Sequence, residues 1–240
     1  MHARLIAVLL LPFLLASCVL TPGKFTAMLS INADRSFAFS YTGEVIAIEA
    51  EDSVKGLSDL KAEGSEPGDA KPTDETTKAA KKAAAKARAD QRNRMIAAAL
   101  MREAGYRKVV YLGEGKFVID YAVRGTLNHA FQWPYNLDGE VVFPFLAVEL
   151  RQGGMVRVKA PAFANEGSKS LPGLPGGATL PDPASALDGV FTLDTDAEIV
   201  SQNEENGVQM VAGRKRMVWK ATPSLKQAPT AVLKLAAPAP

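Results

Sequence analysis

Asp194, Asp196 and Glu198 recur at every second position, and on an extended strand that spacing turns all three carboxylates to one face, as a hard-cation site requires. The basic residues that follow offer them a structural use. If the chain folds back about Gln202 to Gly207, Asp196 comes opposite Arg214 and Asp194 opposite Arg216. Opposed charges on paired strands contribute about 0.2–1 kcal/mol and help to fix register. The same register sets Leu193 opposite Met217 and Phe191 opposite Trp219, a coherent core on the other face. Charge pairing is therefore preferred to calcium binding, and no metal ligand is assigned. Lys215 is left on the apolar face opposite Thr195 unless Gly213 marks a bulge.

Other reactive groups are sparse. The histidines are His2 and His129, so a histidine metal cluster or a Ser-His relay would depend on a single imidazole near Phe131 and Trp133; a packed or surface role is expected for it. Nucleophile-elbow, Walker and zinc-peptidase patterns are absent. Gly113-Glu114-Gly115-Lys116 lacks the Walker spacing and reads as a turn between strands. A hydrolase would need carboxylates such as Asp120, Asp194 and Asp196 to converge in one cleft. No catalytic residue and no cofactor is assigned.

The amino terminus carries a different chemistry. Arg4 precedes an apolar run from Leu5 to Leu15 and a small-residue stretch, Ala16-Ser17-Cys18, the order of an export signal. That run would reach only about 16 Å as a helix, roughly half the hydrocarbon core, which disfavours a permanent span. Leu15-Ala16-Ser17-Cys18 resembles the bacterial lipobox. The resemblance implies diacylglyceryl attachment to the Cys18 sulfur, cleavage between Ser17 and Cys18, and acylation of the new amine. Cys18 is the only cysteine, so no internal disulfide competes for it. Several acyl chains exceed the two-signal threshold for stable anchoring. Val19 is not the aspartate of the inner-membrane retention pattern, so the expected address is the outer membrane, facing the periplasm.

A second membrane-directed feature lies in residues 76–104, which contain no Gly or Pro, are rich in alanine and end before Gly105: a helix, with Thr73 as its expected N-cap. Lys78, Lys81, Lys82, Lys86, Arg88, Arg92 and Arg94 crowd its first half, and contact with an anionic lipid surface is the preferred functional use. Such a run is otherwise a solvated face. Aromatic interleaving for base stacking is missing, so nucleic acid is not an expected partner. In the second half, Met95, Ile96, Ala99, Leu100 and Ala104 are expected to form the packed stripe.

These features need a body to carry them. Losing Arg4 brings the chain's 28 basic and 26 acidic residues closer to balance, so no global field selects a polyanion. After a tether over 18–24, period-two segments on either side of Asn32 to Ser36 predict a hairpin through Phe25–Ile31 and Phe37–Tyr41, continuing toward Ile48. An acidic linker occupies 49–75 and a Gly/Pro-rich loop 165–183. Strands are expected at 107–112, 117–124, 141–150, 155–160, 190–200, 208–221 and 231–235, with a tail at 236–240. Short connections make them antiparallel. One α+β domain over 25–235 follows, following a signal at 1–17. With its lipidated cysteine, its Phe37-Ala38-Phe39-Ser40-Tyr41 hairpin, one helix and a β-rich remainder including Val190 to Leu193 and Val218-Trp219, the layout resembles LppM-type bacterial lipoproteins. That resemblance implies an envelope-associated α+β domain able to hold lipid. An anchored, non-catalytic binding or scaffold module with an envelope protein as partner ranks first. A lipid carrier closed by the helix ranks second, and a hydrolase third.

Overall fold

In the computed structural model, residues 18–49, 75–134, 144–165 and 183–236 are described. The expected signal with Ser17, the N-cap Thr73, most of the acidic linker and of the Gly/Pro-rich loop, residues 141–143 and the last four residues lie outside them. Among the described residues, twelve strands form two sheets. The larger contains β1 (Cys18–Ile31), β2 (Ser36–Glu49), β3 (Tyr106–Gly113), β4 (Lys116–Thr126), β8 (Asp188–Thr195), β10 (Gln209–Val211) and β11 (Arg214–Ala221), in the order β10-β11-β8-β1-β2-β4-β3. The smaller orders β5 (Phe131–Trp133), β6 (Leu146–Leu150), β7 (Met155–Lys159), β12 (Thr230–Lys234) and β9 (Glu198–Gln202) as β5-β6-β7-β12-β9. One helix, α1 (Glu75–Leu100), packs along β3. The α+β class holds.

The predicted hairpin is present, with Leu29 opposite Phe39 and Ile31 opposite Phe37. It begins earlier than expected: Cys18 already pairs with Glu49, so 18–24 is strand and not tether. Pro22 and Gly23 hide this in the sequence because they break the alternation. A register shift between Pro22 and Phe25 absorbs the break. Opposite it, Gly43 has no side chain to collide with: a Cβ there would stand 2.3 Å from the Lys24 carbonyl oxygen.

The sheet is also not wholly antiparallel. β1 and β8 pair in parallel, Leu29 beside Leu193, across a separation that no short connection reveals. The expected strand 190–200 is two strands in different sheets, and the chain crosses between layers at Asp196 and Ala197. Consequently β9 and β10, the strands next to Gln202 to Gly207, do not pair with each other, and the antiparallel partner of β8 is β11. The tight turn is Ala212-Gly213, both at positive φ, which joins β10 to β11. Gly213 is thus a turn residue and not a bulge.

The core lies between the sheets and is strongly aromatic. Phe25 stacks on Tyr41 at 5.3 Å and on Phe163 at 4.4 Å, Phe163 meets Phe191 at 5.4 Å, and Phe191 stacks on Trp219 at 5.5 Å. Trp133 adds contacts with Tyr41 and Phe145. Phe145 and Phe163 border β6 and β7 of the smaller sheet, so rings from both layers interdigitate and fill the interior. The second sheet, not the helix, closes the first.

α1 covers only the β3–β4 end, and by a different face from the one expected. Asn93 and Ala97 are buried and Leu100 half-buried, whereas Met95 is 60% and Ile96 39% exposed and Ala99 and Ala104 are exposed too. The packed positions 90, 93, 97 and 100 have helical spacing but are half polar. The reason is Tyr111, whose hydroxyl donates to Asp90 Oδ1 at 2.5 Å and accepts from Asn93 Nδ2 at 3.4 Å and the Gly115 amide at 3.2 Å. Tyr111→Phe should lower stability by about 0.5–1.5 kcal/mol and raise hydrogen exchange in α1 above that of β1 and β2. Equal exchange in helix and strands of the variant would show that this hydroxyl does not hold the helix down.

Candidate functional site

The acidic triplet is resolved by the layer crossing. Asp194 stays on β8, Asp196 sits in the bend and Glu198 begins β9 in the other sheet, so the three do not share a strand face. Among the described residues, no group of three or more His, Cys, Asp or Glu side chains converges as a metal site would need. Asp194 is buried, with only 3% exposed. Its Oδ1 accepts from Arg214 Nε, and its Oδ2 accepts from Arg216 Nη2 at 3.2 Å and Nε at 3.3 Å. Arg214 also donates to Asn32 Oδ1 at 2.8 Å and Ser30 Oγ at 3.2 Å, tying the β1–β2 turn to β8 and β11. Asp196 accepts from the Ala33 amide at 2.6 Å and lies 3.8 Å from Arg214.

The register predicted from charge pairing is observed: Arg216 opposite Asp194, Met217 opposite Leu193, Trp219 opposite Phe191. Lys215, which that register left on the apolar side opposite Thr195, has a partner the sequence could not show. Its Nζ donates to the carbonyls of Ala197 at 2.8 Å and Asp196 at 3.4 Å, which the crossing strips of sheet partners. The cluster is a structural clasp.

The other carboxylate proposed for a cleft is elsewhere. Asp120, on β4, accepts from Arg107 Nε at 3.1 Å. With β2 and β1 between β4 and β8, it lies at least three strand spacings, about 14 Å, from Asp194. His129 is exposed and its Nδ1 donates to the Ala130 carbonyl at 2.9 Å. Burial pushes the Tyr106 hydroxyl up to about 12 and the Tyr41 hydroxyl higher still. Both hydroxyls therefore stay protonated near neutral pH.

The cations of α1 remain. Lys81, Lys82, Lys86, Arg88, Arg92 and Arg94 are all exposed; Lys78 lies in the first turn of the helix. Lys86 Nζ is 3.0 Å from Glu114 Oε1 at the tip of the β3–β4 turn, a pairing that raises the lysine's pKa. The sequence marked that turn but gave no sign that the helix passes it. The contact fixes direction: α1 runs antiparallel to β3, and everything before Lys86 continues beyond the turn. The start of β1 projects at the same end, because Ile46 pairs with Lys116 while Cys18 pairs with Glu49 three residues farther out. Cys18 and the first turns of α1 thus share one end of the body. Leu112, 57% exposed, lies there as well. No helix among the described residues is long and apolar enough to cross a membrane.

No family model and no curated protein matches the chain. Among solved structures, the NMR structure of the folded domain of Mycobacterium tuberculosis LppM aligns over 92% of this chain and 94% of that one, with 14% identity and a TM-score of 0.32. The likeness is weak.

Proposed function

We propose that the mature chain is a lipid-anchored protein of the bacterial envelope whose β-sandwich is a non-catalytic binding or scaffold module. The observation that carries this reading is the condition of the charged groups: Asp194, Asp196, Asp120 and Lys215 are each engaged in holding strands or turns together. The lipobox-like Leu15-Ala16-Ser17-Cys18 supplies the anchor, and Cys18 opening β1 supports a body held close to the bilayer. The address is the outer membrane, facing the periplasm, and the partner is an envelope protein or anionic lipid.

Intact mass of the membrane-extracted protein tests the anchor. The expected species starts at Cys18 and carries diacylglycerol plus one amide-linked acyl chain, and Cys18→Ala should leave the membrane fraction almost entirely, since several acyl chains set the partition. A mature chain without acyl mass, or a variant that stays membrane-bound, would refute it. Native mass spectrometry addresses the carrier alternative. The aromatic interior argues against a second, non-covalent lipid, and a lipid released only on denaturation would reverse the ranking.

A further inference from the structure

The cations of α1 differ in their distance from the lipidated end. Asp90 is held to Tyr111, which pairs with Phe117 one residue inside the Ile46–Lys116 row. From that level Cys18 lies four residues out, three of them beyond the row, about 13 Å at a strand's rise. Lys82 lies eight residues before Asp90, about 12 Å outward at a helix's rise, and Lys81 and Lys78 lie farther out. Arg92 and Arg94 follow Asp90 and run back along the body. Lys82 and Arg94 are thus separated by about 18 Å of helix, twice the screening length of roughly 8–10 Å at physiological salt.

We propose that Lys78, Lys81 and Lys82 make a second, electrostatic contact with an anionic phospholipid bilayer beside the acyl anchor, and that Arg92 and Arg94 take no part in it. This rests on Cys18 carrying lipid, which brings that end of the body to the headgroups. The exposed Lys81 and Lys82 meet the anionic surface there, and the exposed Leu112 adds an apolar side chain at the same end. Glu49 closes β2 and Glu75 opens α1 at this end also, and negative charge there opposes the attraction. The position of each cation, and not net charge, is therefore decisive.

The test uses mature protein whose acylation has been verified by intact mass, reconstituted into vesicles of phosphatidylcholine alone or mixed with phosphatidylglycerol. Because Cys18 is the only native cysteine and is blocked by lipid, a thiol introduced by Ala80→Cys or Ala98→Cys takes a nitroxide label alone. Both alanines are exposed and five helical turns apart, so the labels leave the helix on one side about 27 Å from each other. In anionic vesicles the label at 80 should lose access to a water-soluble relaxation agent several-fold, and regain it in phosphatidylcholine or about 0.5 M salt. The loss should vanish in the Lys78→Gln, Lys81→Gln, Lys82→Gln variant, each lysine contributing up to roughly fivefold to the docking equilibrium. The label at 98 should not respond. Equal access at 80 and 98 in anionic vesicles, or a loss that survives the triple substitution, overturns the proposal. Protein lacking acyl mass would instead overturn the lipoprotein reading. Cys18→Ser forms of both labelled proteins would then be added to anionic vesicles from solution, where a response at 80 alone supports the lysine contact and its absence refutes it.

Discussion

Phe163→Ala should destabilise the protein by about 3–5 kcal/mol, the range for deleting a fully buried ring whose site cannot collapse. Phe163 ends a single 3-10 turn after β7 and is wholly buried. Its ring touches Phe25 and Phe191 of the larger sheet and Phe145 just before β6 of the smaller one, so its removal opens a void at the junction of the layers. Phe131→Ala is the control. That ring is half-buried in an edge strand and meets Phe37 and Phe39, so its loss should cost less than half as much. Urea unfolding of both variants decides, read as midpoint shifts at constant slope. If Phe163→Ala costs no more than Phe131→Ala, the two sheets are not locked through Phe163. A small apolar solute such as benzene should recover part of the loss, because an apolar void stays dry and accepts such ligands.

Asp194→Asn should cost about 2–4 kcal/mol. Removing one partner of a fully buried ion pair costs about 3–5 kcal/mol, but Arg214 and Arg216 keep roughly a third of their side-chain surface in water and can partly rehydrate. Asp196→Asn, at 48% side-chain exposure, should cost about 0–1 kcal/mol. The pair separates a clasp built on one buried carboxylate from a diffuse acidic patch. Equal, small losses in the two variants would dismiss the clasp. The structure also predicts where damage appears: Arg214 holds Asn32 and Ser30 through its other nitrogen, so amides of the β1–β2 turn should exchange faster in Asp194→Asn before the body unfolds.

Several of these relations were legible in the residues. Alternation carries the face of every side chain on a strand, so Leu193 with Met217 and Phe191 with Trp219 could be paired by pattern. The Asp194 and Arg216 charges confirmed the same register independently. Composition marked the helix because a stretch without Gly or Pro and rich in alanine has few alternatives. The packed face of α1 was not legible. Hydrophobic periodicity pointed to Met95 and Ile96, while the face that docks is chosen by the Tyr111 hydroxyl, which needs Asp90 and Asn93 beside it.

The sequence by itself determined the local terms: strand faces, the turn at Gly113 to Lys116, the helix, the α+β class, and the lipobox-like chemistry expected at Cys18. Those depend on residues a few positions apart and on side-chain type. Tertiary structure alone decided the parallel pairing of β1 with β8, the crossing between sheets at Asp196, the use of Lys215 to satisfy carbonyls there, and the end of the body at which Cys18 and the helix lysines meet. Each of these joins segments far apart in the chain, and which distant partner a strand or helix takes is set by burial of the whole aromatic core. No local pattern records that choice.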